Sequence, residues 1–279
     1  MAEGHPAVAE IVELVMASPK YARLDPGLVA ALAAQEAAKT RRSKEAVKQV
    51  KNRLHQSVAA YWQGAVDFAR WQELLQTTAD EASRRAALRA LLGTHHSTRE
   101  RLPFLDTFYQ TLFAGLPPPS SVLDLGCGLN PLALPWMGLP ATTRYYACDV
   151  DHGQVEFLKG WLALAGQPGQ AFVCNLLDPM PPASRFLPTD APTIDVALLL
   201  KLLPCLEQLD RHISPRLLAG ISAAALIVSF PAQSLGGKHK GMVQHYSEQM
   251  AQLVEGHPWQ VERFEFPSEL AFRLRRRDL

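Results

Sequence analysis

The phrase SVLDLGCGLNP at 121–131, with RYYACD following at 144–149, constrains this chain more than any other feature. Each is a strand-length apolar run that ends in an acid, Asp124 in the first and Asp149 in the second. The first continues into a Gly-x-Gly turn at Gly126 and Gly128, where the missing Cβ lets a ligand approach the backbone. Ligands of open α/β sheets bind at the carboxyl ends of the strands, and both acids and both glycines fall there. Asp149 lies where a carboxylate accepts hydrogen bonds from ribose hydroxyls. Asp124 either serves the ligand or caps the turn.

Two cofactor classes use this geometry. A nicotinamide site calls for a third glycine, so that a helix N-terminus can hold the pyrophosphate. Here that position is Pro131. S-adenosylmethionine has no pyrophosphate and needs no such glycine, so the stretch favours a methyltransferase over a dehydrogenase.

The remainder fits an α/β fold. Further strands are expected at 171–175, 194–200 and 224–230, the last two apolar enough to be covered on both faces. Runs at 260–266 and 270–276 flank Pro267-Ser268 and suit a closing hairpin, and Pro-rich 179–192 reads as a loop. Residues 1 to about 95 carry no convincing strand. Val47, Val50, Leu54, Val58 and Tyr61 recur at helical spacing, which predicts a helix over 41–61. A second helix is expected near 97–115, either capped by the Ser97/Glu100 spacing or starting at Pro103.

Charge is informative by its distribution. The whole chain carries only +1, yet residues 20–55 hold nine Lys/Arg against three acids, a local +6. Arg41, Lys44, Lys48, Lys51 and His55 share one helix face, and Lys20 and Arg53 add to the basic stretch. Such a face is either solvated or a phosphate-binding surface. The four cysteines form no CxxC pair and lie in or at the end of apolar runs read as strands, so they are expected to be reduced core thiols with no metal bound. The start, MAEGHPAVAE, lacks the basic-then-apolar pattern of a signal peptide, and the longest apolar stretch, 219–230, is short of the ~20 residues of a membrane span. A soluble, cytoplasmic protein is expected.

The position after the fourth strand reads KLLPC (201–205), without the Asn/Asp-Pro-Pro-aromatic stretch used on exocyclic amines. Cys205 follows a proline, as the nucleophile of a cytosine-C5 methyltransferase does, but it also suits a small buried hydrophobe. Guanine N7 has a free in-plane lone pair and no proton to lose. Its methylation needs alignment rather than a base or nucleophile.

HHSTRERLPFLDTFY (95–109), LDLGCGLNPLALPWMGLP (123–140), ACDVD (147–151), LLLKLLPCLE (198–207), VSFPAQSLGGKHKGM (228–242) and SELAF (268–272) together resemble the aminoglycoside-resistance 16S rRNA methyltransferases that act on N7 of guanine 1405. SPKYARL (18–24) and KNRLHQSVAAY (51–61) are similar to that family's N-terminal helical part, so the resemblance covers nearly the whole chain. It implies a class I, Rossmann-like S-adenosylmethionine-dependent methyltransferase domain over 96–279 and an N-terminal all-helical domain over 1–95 that docks on 16S rRNA of the 30S subunit. It further implies a monomer that releases S-adenosylhomocysteine. By motif, Tyr61, His95, Ser97 and Arg101 approach the cofactor, Arg101 pairing with its methionine carboxylate. Gly126 lies under the methionine part, Asp149 holds the ribose, and Asn175 and Leu176 border the adenine. Some relatives have Asp where this chain has Asn175. His96, Asp124, Gly128, Leu200 and Gln208 are assigned to the same site. Lys201, Lys238, Lys240, Met242 and Glu269 are assigned to positioning of the target nucleotide. Lys20, Arg41, Lys44, Lys48, Lys51 and Arg53 are assigned to rRNA. Two competing readings are a cytosine-C5 RNA methyltransferase using Cys205 and a non-catalytic RNA-binding or ribosome-assembly protein.

Overall fold

A computed structural model describes residues 6–62, 64, 66–178, 194–232 and 241–276. Its centre is a seven-stranded sheet in the order β3-β2-β1-β4-β5-β7-β6. The strands are β1 (Ser121–Leu125), β2 (Arg144–Asp149), β3 (Gly169–Val173), β4 (Ile194–Leu200), β5 (Ala223–Pro231), β6 (Trp259–Phe266) and β7 (Glu269–Arg276). The first five pair in parallel, and the hairpin β6–β7 adds antiparallel to β5. After β3 the chain returns to the other side of β1, so the order reverses between β1 and β4. A crevice opens at the carboxyl ends of strands at such a point.

Helices cover both faces. Apolar side chains of α4 (Phe68–Thr77), α5 (Glu81–Leu92), α7 (Leu105–Phe113), α8 (Leu134–Met137) and α9 (His152–Leu164) pack on one face, with Leu75, Leu88, Phe108 and Trp161 buried there. On the other face lie α10 (Leu203–Glu207), α11 (Ile213–Gly220) and α12 (Met242–Val254), burying Leu203, Leu217 and Met250. A separate core is formed by α1 (Val8–Met16), α2 (Pro26–Ala37) and α3 (Ser43–Ser57), around Ile11, Leu32 and Leu54. The break between separate cores therefore falls near Tyr61, and α4 and α5 belong with the sheet.

The N-terminal core is bound to the sheet at two places. Asp25 N donates to Val150 O at 2.8 Å, and Arg23 pairs with the buried Asp151 at 3.2 Å. Arg53 donates to Glu36 Oε1 at 2.8 Å and to the carbonyl of Leu209 at 2.5 Å.

Several sequence expectations are corrected. The helix expected over 41–61 stops at Ser57, and a 3₁₀ turn, Ala59–Tyr61, carries Tyr61 across to the sheet. The helix expected over 97–115 is three pieces: α6 (His96–Arg99), a 3₁₀ turn at Leu102–Phe104, and α7. Pro103 lacks the N–H that a continuous helix would use there. Ser97 and Glu100 form no capping box, because Ser97 Oγ bonds His95 and Glu100 bonds Lys201. The third strand begins and ends two residues early, because Asn175 Oδ1 accepts from Leu177 N and turns the chain. Cys205 lies in α10 rather than in a strand. The expected 179–192 loop, apart from its surroundings, lies outside the described residues.

Replacing Arg53 by Ala leaves the buried Glu36 with only Lys39 and strips the Leu209 carbonyl. This variant should lose about 1–3 kcal/mol of stability, read as a lower urea midpoint. An unchanged midpoint would show that the two cores are held together without it.

Candidate active site

The turn after β1 is shaped by its glycines. Gly126 and Gly128 adopt φ +55° and +51°, a region that favours glycine. A Cβ on Gly126 would collide with Leu202, and one on Gly128 would come within 3.2 Å of His95. Gly128 N donates to Asp149 Oδ2 at 2.9 Å, and Val150 N donates to Oδ1 at 2.7 Å. Gln154 Nε2 donates to the Gly128 carbonyl at 2.9 Å. The two strand ends are thus locked to each other, and burial raises the Asp149 pKa above its ordinary value.

Below this turn lies a buried polar cluster. Asp124 Oδ2 accepts from Tyr145 at 2.7 Å and from Asn130 Nδ2 at 2.9 Å, while its Oδ1 is buried with no hydrogen-bond partner. Burial pushes the Asp124 carboxyl up to about 7. Arg101 Nη1 donates to Asn130 Oδ1 at 2.8 Å, and its Nε and Nη2 hold Glu269 at 3.1 and 2.8 Å. Lys201, at the end of β4, takes φ +56°, the one positive φ outside glycine among the described residues. Its ammonium donates to Glu100 Oε2 at 2.6 Å and lies 3.5 Å from Glu269.

A cavity opens above the turn. Tyr61, His95, Ser97, Gly126, Gly128, Asp149, Asn175, Leu176, Leu200 and Lys201, all singled out in the sequence, line it together. Its remaining wall includes Leu28 and Trp62, which the sequence patterns did not mark, and Val58, which they marked only as part of a helix's apolar face. Tyr61 stacks on His95 with centroids 5.8 Å apart, and its hydroxyl lies 3.0 Å from Cys205 Sγ. Burial lowers the His95 pKa to about 3, so its imidazole is neutral, and raises Cys205 to about 11, so it is a thiol rather than a thiolate nucleophile.

Other predicted residues lie elsewhere. Arg101 and Asp124 are buried behind the lining. Arg101, expected to face a carboxylate of the cofactor, instead spends its fork on Glu269. Glu269, expected to position the target nucleotide, is fully buried and does not line the cavity, with Lys201 of the lining 3.5 Å away. His96 sits 3.2 Å from Glu100 outside the lining, and Gln208 is exposed after α10. Met242 opens α12, whereas Lys238 and Lys240 lie outside the described residues. Lys20, Arg41, Lys44 and Lys48 are exposed and Lys51 is half-buried, but Arg53 is turned inward to Glu36 and Leu209. Asn130 and Gln154 are polar residues of the site region that the sequence reading did not assign. The Asn in GLNP was the available signal for the first.

These residues fit S-adenosylmethionine. Gly126 and Gly128 line the cavity with bare backbone, Asp149 stands at the second strand end for a ribose, and Leu176, Leu200 and Leu206 offer an apolar wall. The orphaned Asp124 oxygen supplies a buried acceptor beneath the turn. Among the described residues no helix is long and apolar enough to cross a membrane, and no group of three or more His, Cys, Asp or Glu could hold a metal.

Comparison with known proteins agrees with this geometry. The family model "Ribosomal RNA methyltransferase (FmrO)" matches residues 17–272. The chain is 34% identical over 270 residues to a 16S rRNA (guanine(1405)-N(7))-methyltransferase of Micromonospora echinospora, covering 95% of each. It is 36% identical over 275 residues to one of Frankia casuarinae, covering 97% of this chain and 94% of the other. The crystal structure of 16S rRNA methyltransferase RmtF with S-adenosyl-L-homocysteine superposes with a TM-score of 0.78 at 30% identity, covering 96% and 98%. The 16S rRNA methylase RmtB gives 0.77 at 25% identity, covering 97% and 98%.

Asp149→Ala should weaken S-adenosylhomocysteine binding tenfold or more, since charged-acceptor bonds are worth about 1.5–3 kcal/mol. Unchanged calorimetric affinity would remove Asp149 from the site. Asp124 yields a pH prediction. Its folded pKa, raised to about 7, exceeds the unfolded value, so its contribution to stability is full below the unfolded pKa and is lost as pH rises through 7. The decline in melting temperature from pH 5 to 8 should be shallower in Asp124→Asn than in wild type. Equal slopes would mean that Asp124 is ionised in the fold.

Proposed function

The chain belongs to the ribosomal RNA methyltransferase (FmrO) family, and from that premise we propose that it methylates N7 of guanine 1405 in 16S rRNA of the assembled 30S subunit. The consequence for the cell is aminoglycoside resistance, and the enzyme works as a cytoplasmic monomer. The observation that carries this reading is a cofactor-shaped cavity whose one side-chain ammonium, on Lys201, is balanced by carboxylates and whose Cys205 thiol, the candidate nucleophile, is protonated. That inventory suits a nucleophile that brings its own lone pair.

S-adenosylmethionine, when bound, supplies an electrophilic methyl group and leaves as S-adenosylhomocysteine. The chain's residues bind and align. Asp149 accepts from the ribose hydroxyls, Gly126 and Gly128 admit the methionine part, and Asn175 and Leu176 border the adenine. The Hoogsteen edge of guanine offers two acceptors, N7 and O6, where adenine offers a donor at the 6 position. Lys201 donates to O6 and leaves N7 free, which selects guanine. Glu100 and Glu269 keep the surroundings of Lys201 from opposing the positive charge that the ring gains. Alignment of N7 with the methyl is the main source of rate, since no proton has to move.

Docking falls to the N-terminal helices. Lys44 and Lys48 project from α3 into solvent, with Arg41 exposed just before the helix and Lys51 beside them, against the single acid of α3, Glu45. Each phosphate contact releases condensed counterions and steepens the salt dependence of binding by roughly 0.7–0.9 log unit per log salt.

Small subunits incubated with labelled S-adenosylmethionine should incorporate label at guanine 1405, with borohydride and aniline cleaving the chain there. Label at another nucleotide, or none, would sink the assignment. Cys205→Ala should retain transfer, whereas a well-folded but inactive variant would favour cytosine chemistry. Charge reversal of Lys44, Lys48 and Lys51 to Glu should abolish 30S binding while leaving S-adenosylhomocysteine affinity and thermal stability nearly unchanged, because exposed charges add little to folding. Wild-type binding by this triple variant would show that the face is merely solvated.

A further inference from the structure

A second concavity of about 540 Å³ lies beside the cofactor cavity, and the two share Val58 and Trp62 as a common wall. This volume falls in the ~300–1,000 Å³ range of small-ligand sites. Its floor is apolar, formed by Leu24, Val58, Ala59, Ala60 and Trp62. Lys20, Arg23 and His55 stand around it, and the one acid among its lining residues, Asp151, is already held by Arg23 at 3.2 Å.

The rim is arranged for an anion. Lys20 Nζ lies 3.0 Å from His55 Nδ1, with the ammonium as donor and the imidazole nitrogen as acceptor. Lys20 contacts the His55 ring and, at 5.9 Å, the ring of Tyr21, and among the described residues no carboxylate pairs with it. Both Lys20 and His55 are exposed and come from different segments, Lys20 from the connection before α2 and His55 from the last turn of α3. Arg23 is fixed in direction by Asp151 on one side and by the ring of Phe68, 5.2 Å from its Cζ, on the other.

We propose that this groove binds one unstacked nucleotide of the RNA substrate, outside the target base, with the base on the Ala59–Ala60–Trp62 floor and its phosphate between Lys20 and His55. The proposal rests on the rRNA reading above and deepens it, since that reading assigns Lys20 to RNA but no base to any site in the N-terminal part. Charge complementarity selects the occupant. A purely apolar ligand leaves the Lys20 ammonium unused, and a free phosphate leaves the apolar floor wet, whereas a nucleotide satisfies both. Nucleobases are sequence-tolerant occupants of such platforms because each has an apolar face, and stacking recovers what unstacking from the RNA costs. The groove also continues the basic face of α3 toward the cofactor cavity, so docking on that face feeds RNA into it.

Ala60 lines this groove and does not line the cofactor cavity. Ala60→Glu puts a bulky carboxylate on the floor, and Lys20→Ala with His55→Ala removes the rim. Binding of purified 30S subunits is measured at two salt concentrations, S-adenosylhomocysteine affinity by calorimetry, and the contacted peptide by ultraviolet cross-linking and mass spectrometry. Ala60→Glu should weaken 30S binding at least tenfold with cofactor affinity intact. The rim variant should lower the salt slope by roughly 0.7–0.9, one phosphate. Wild type should cross-link within residues 54–62, and Ala60→Glu should not. Normal 30S binding and cross-linking by Ala60→Glu overturns the groove while leaving the rRNA reading intact. If only the rim variant weakens, Lys20 is a plain phosphate contact and the nucleotide site is wrong. Failure of wild type itself to bind 30S overturns the rRNA reading and the groove together.

Discussion

The buried pair of Arg101 and Glu269 is the constraint on which the rest of the site depends. Both side chains are at least 98% excluded from solvent, and two parallel hydrogen bonds join them across 168 residues of chain. Removing two charges from water costs several kcal/mol each, which attraction repays only with good geometry and saturated neighbours. Here the polar atoms of the pair itself are all engaged. Glu269 also accepts from Ser229 at 2.5 Å, and Arg101 continues through Asn130 to Asp124 and Tyr145. The pair therefore fixes the register among the segment after α6, the turn after β1, and the start of the hairpin strand β7. It also places an acid under Lys201, the residue whose left-handed backbone turns the chain from β4 into the cavity. Strain of that kind persists where surrounding contacts over-determine it. Lys201 N is held by Ser229 while its ammonium is held by Glu100.

A second constraint is that the cavity is not closed by the sheet alone. Leu28, Ser57, Val58 and Tyr61 come from the N-terminal part, and they reach the lining because Asp25, Arg23 and Arg53 bind that part to the ends of β2 and α10. The surface proposed to meet RNA and one wall of the cofactor cavity are thus the same small helical body. Any shift of that body on docking is felt in the cavity, and by linkage any ordering by the cofactor is felt at the docking surface.

The sheet was legible because its signals are local. Alternating apolar runs, the acid at each strand end and the Gly-x-Gly turn all lie within a few residues of one another, and the strands appear close to where those runs fall. Ten lining residues were named in advance, mostly through motif resemblance. What could not be read was who bonds whom. Arg101 reads as a free guanidinium in HSTRER, and only the return of β7 brings Glu269 to it. Arg53 reads as one more cation on a basic helix, and only the packing of α10 shows that it faces inward. The texture change near residue 95 tracks where strands begin, whereas the cores divide near Tyr61, because helices α4 and α5 look the same in sequence whichever core they join.

The electrostatic inventory fits a reaction in which a neutral base becomes a cation. A free cation at the reacting centre would oppose that change, and a free anion would compete for the electrophile. Neither stands bare in the cavity, and the lining carboxylate, Asp149, accepts from the backbone N–H groups of Gly128 and Val150. His95 is kept neutral by burial, Cys205 is kept as a thiol beside Tyr61, and Lys201 is flanked by Glu100 and Glu269. Asp124 sits near its titration point beneath the turn. The charges needed for order are thus paired within the wall. The Lys201 ammonium is held in place by those pairs, ready to donate to an acceptor edge while adding little net field. In this site pairing does the work that a base or nucleophile does in other methyl transfers: it fixes the geometry in which one lone pair meets one methyl group.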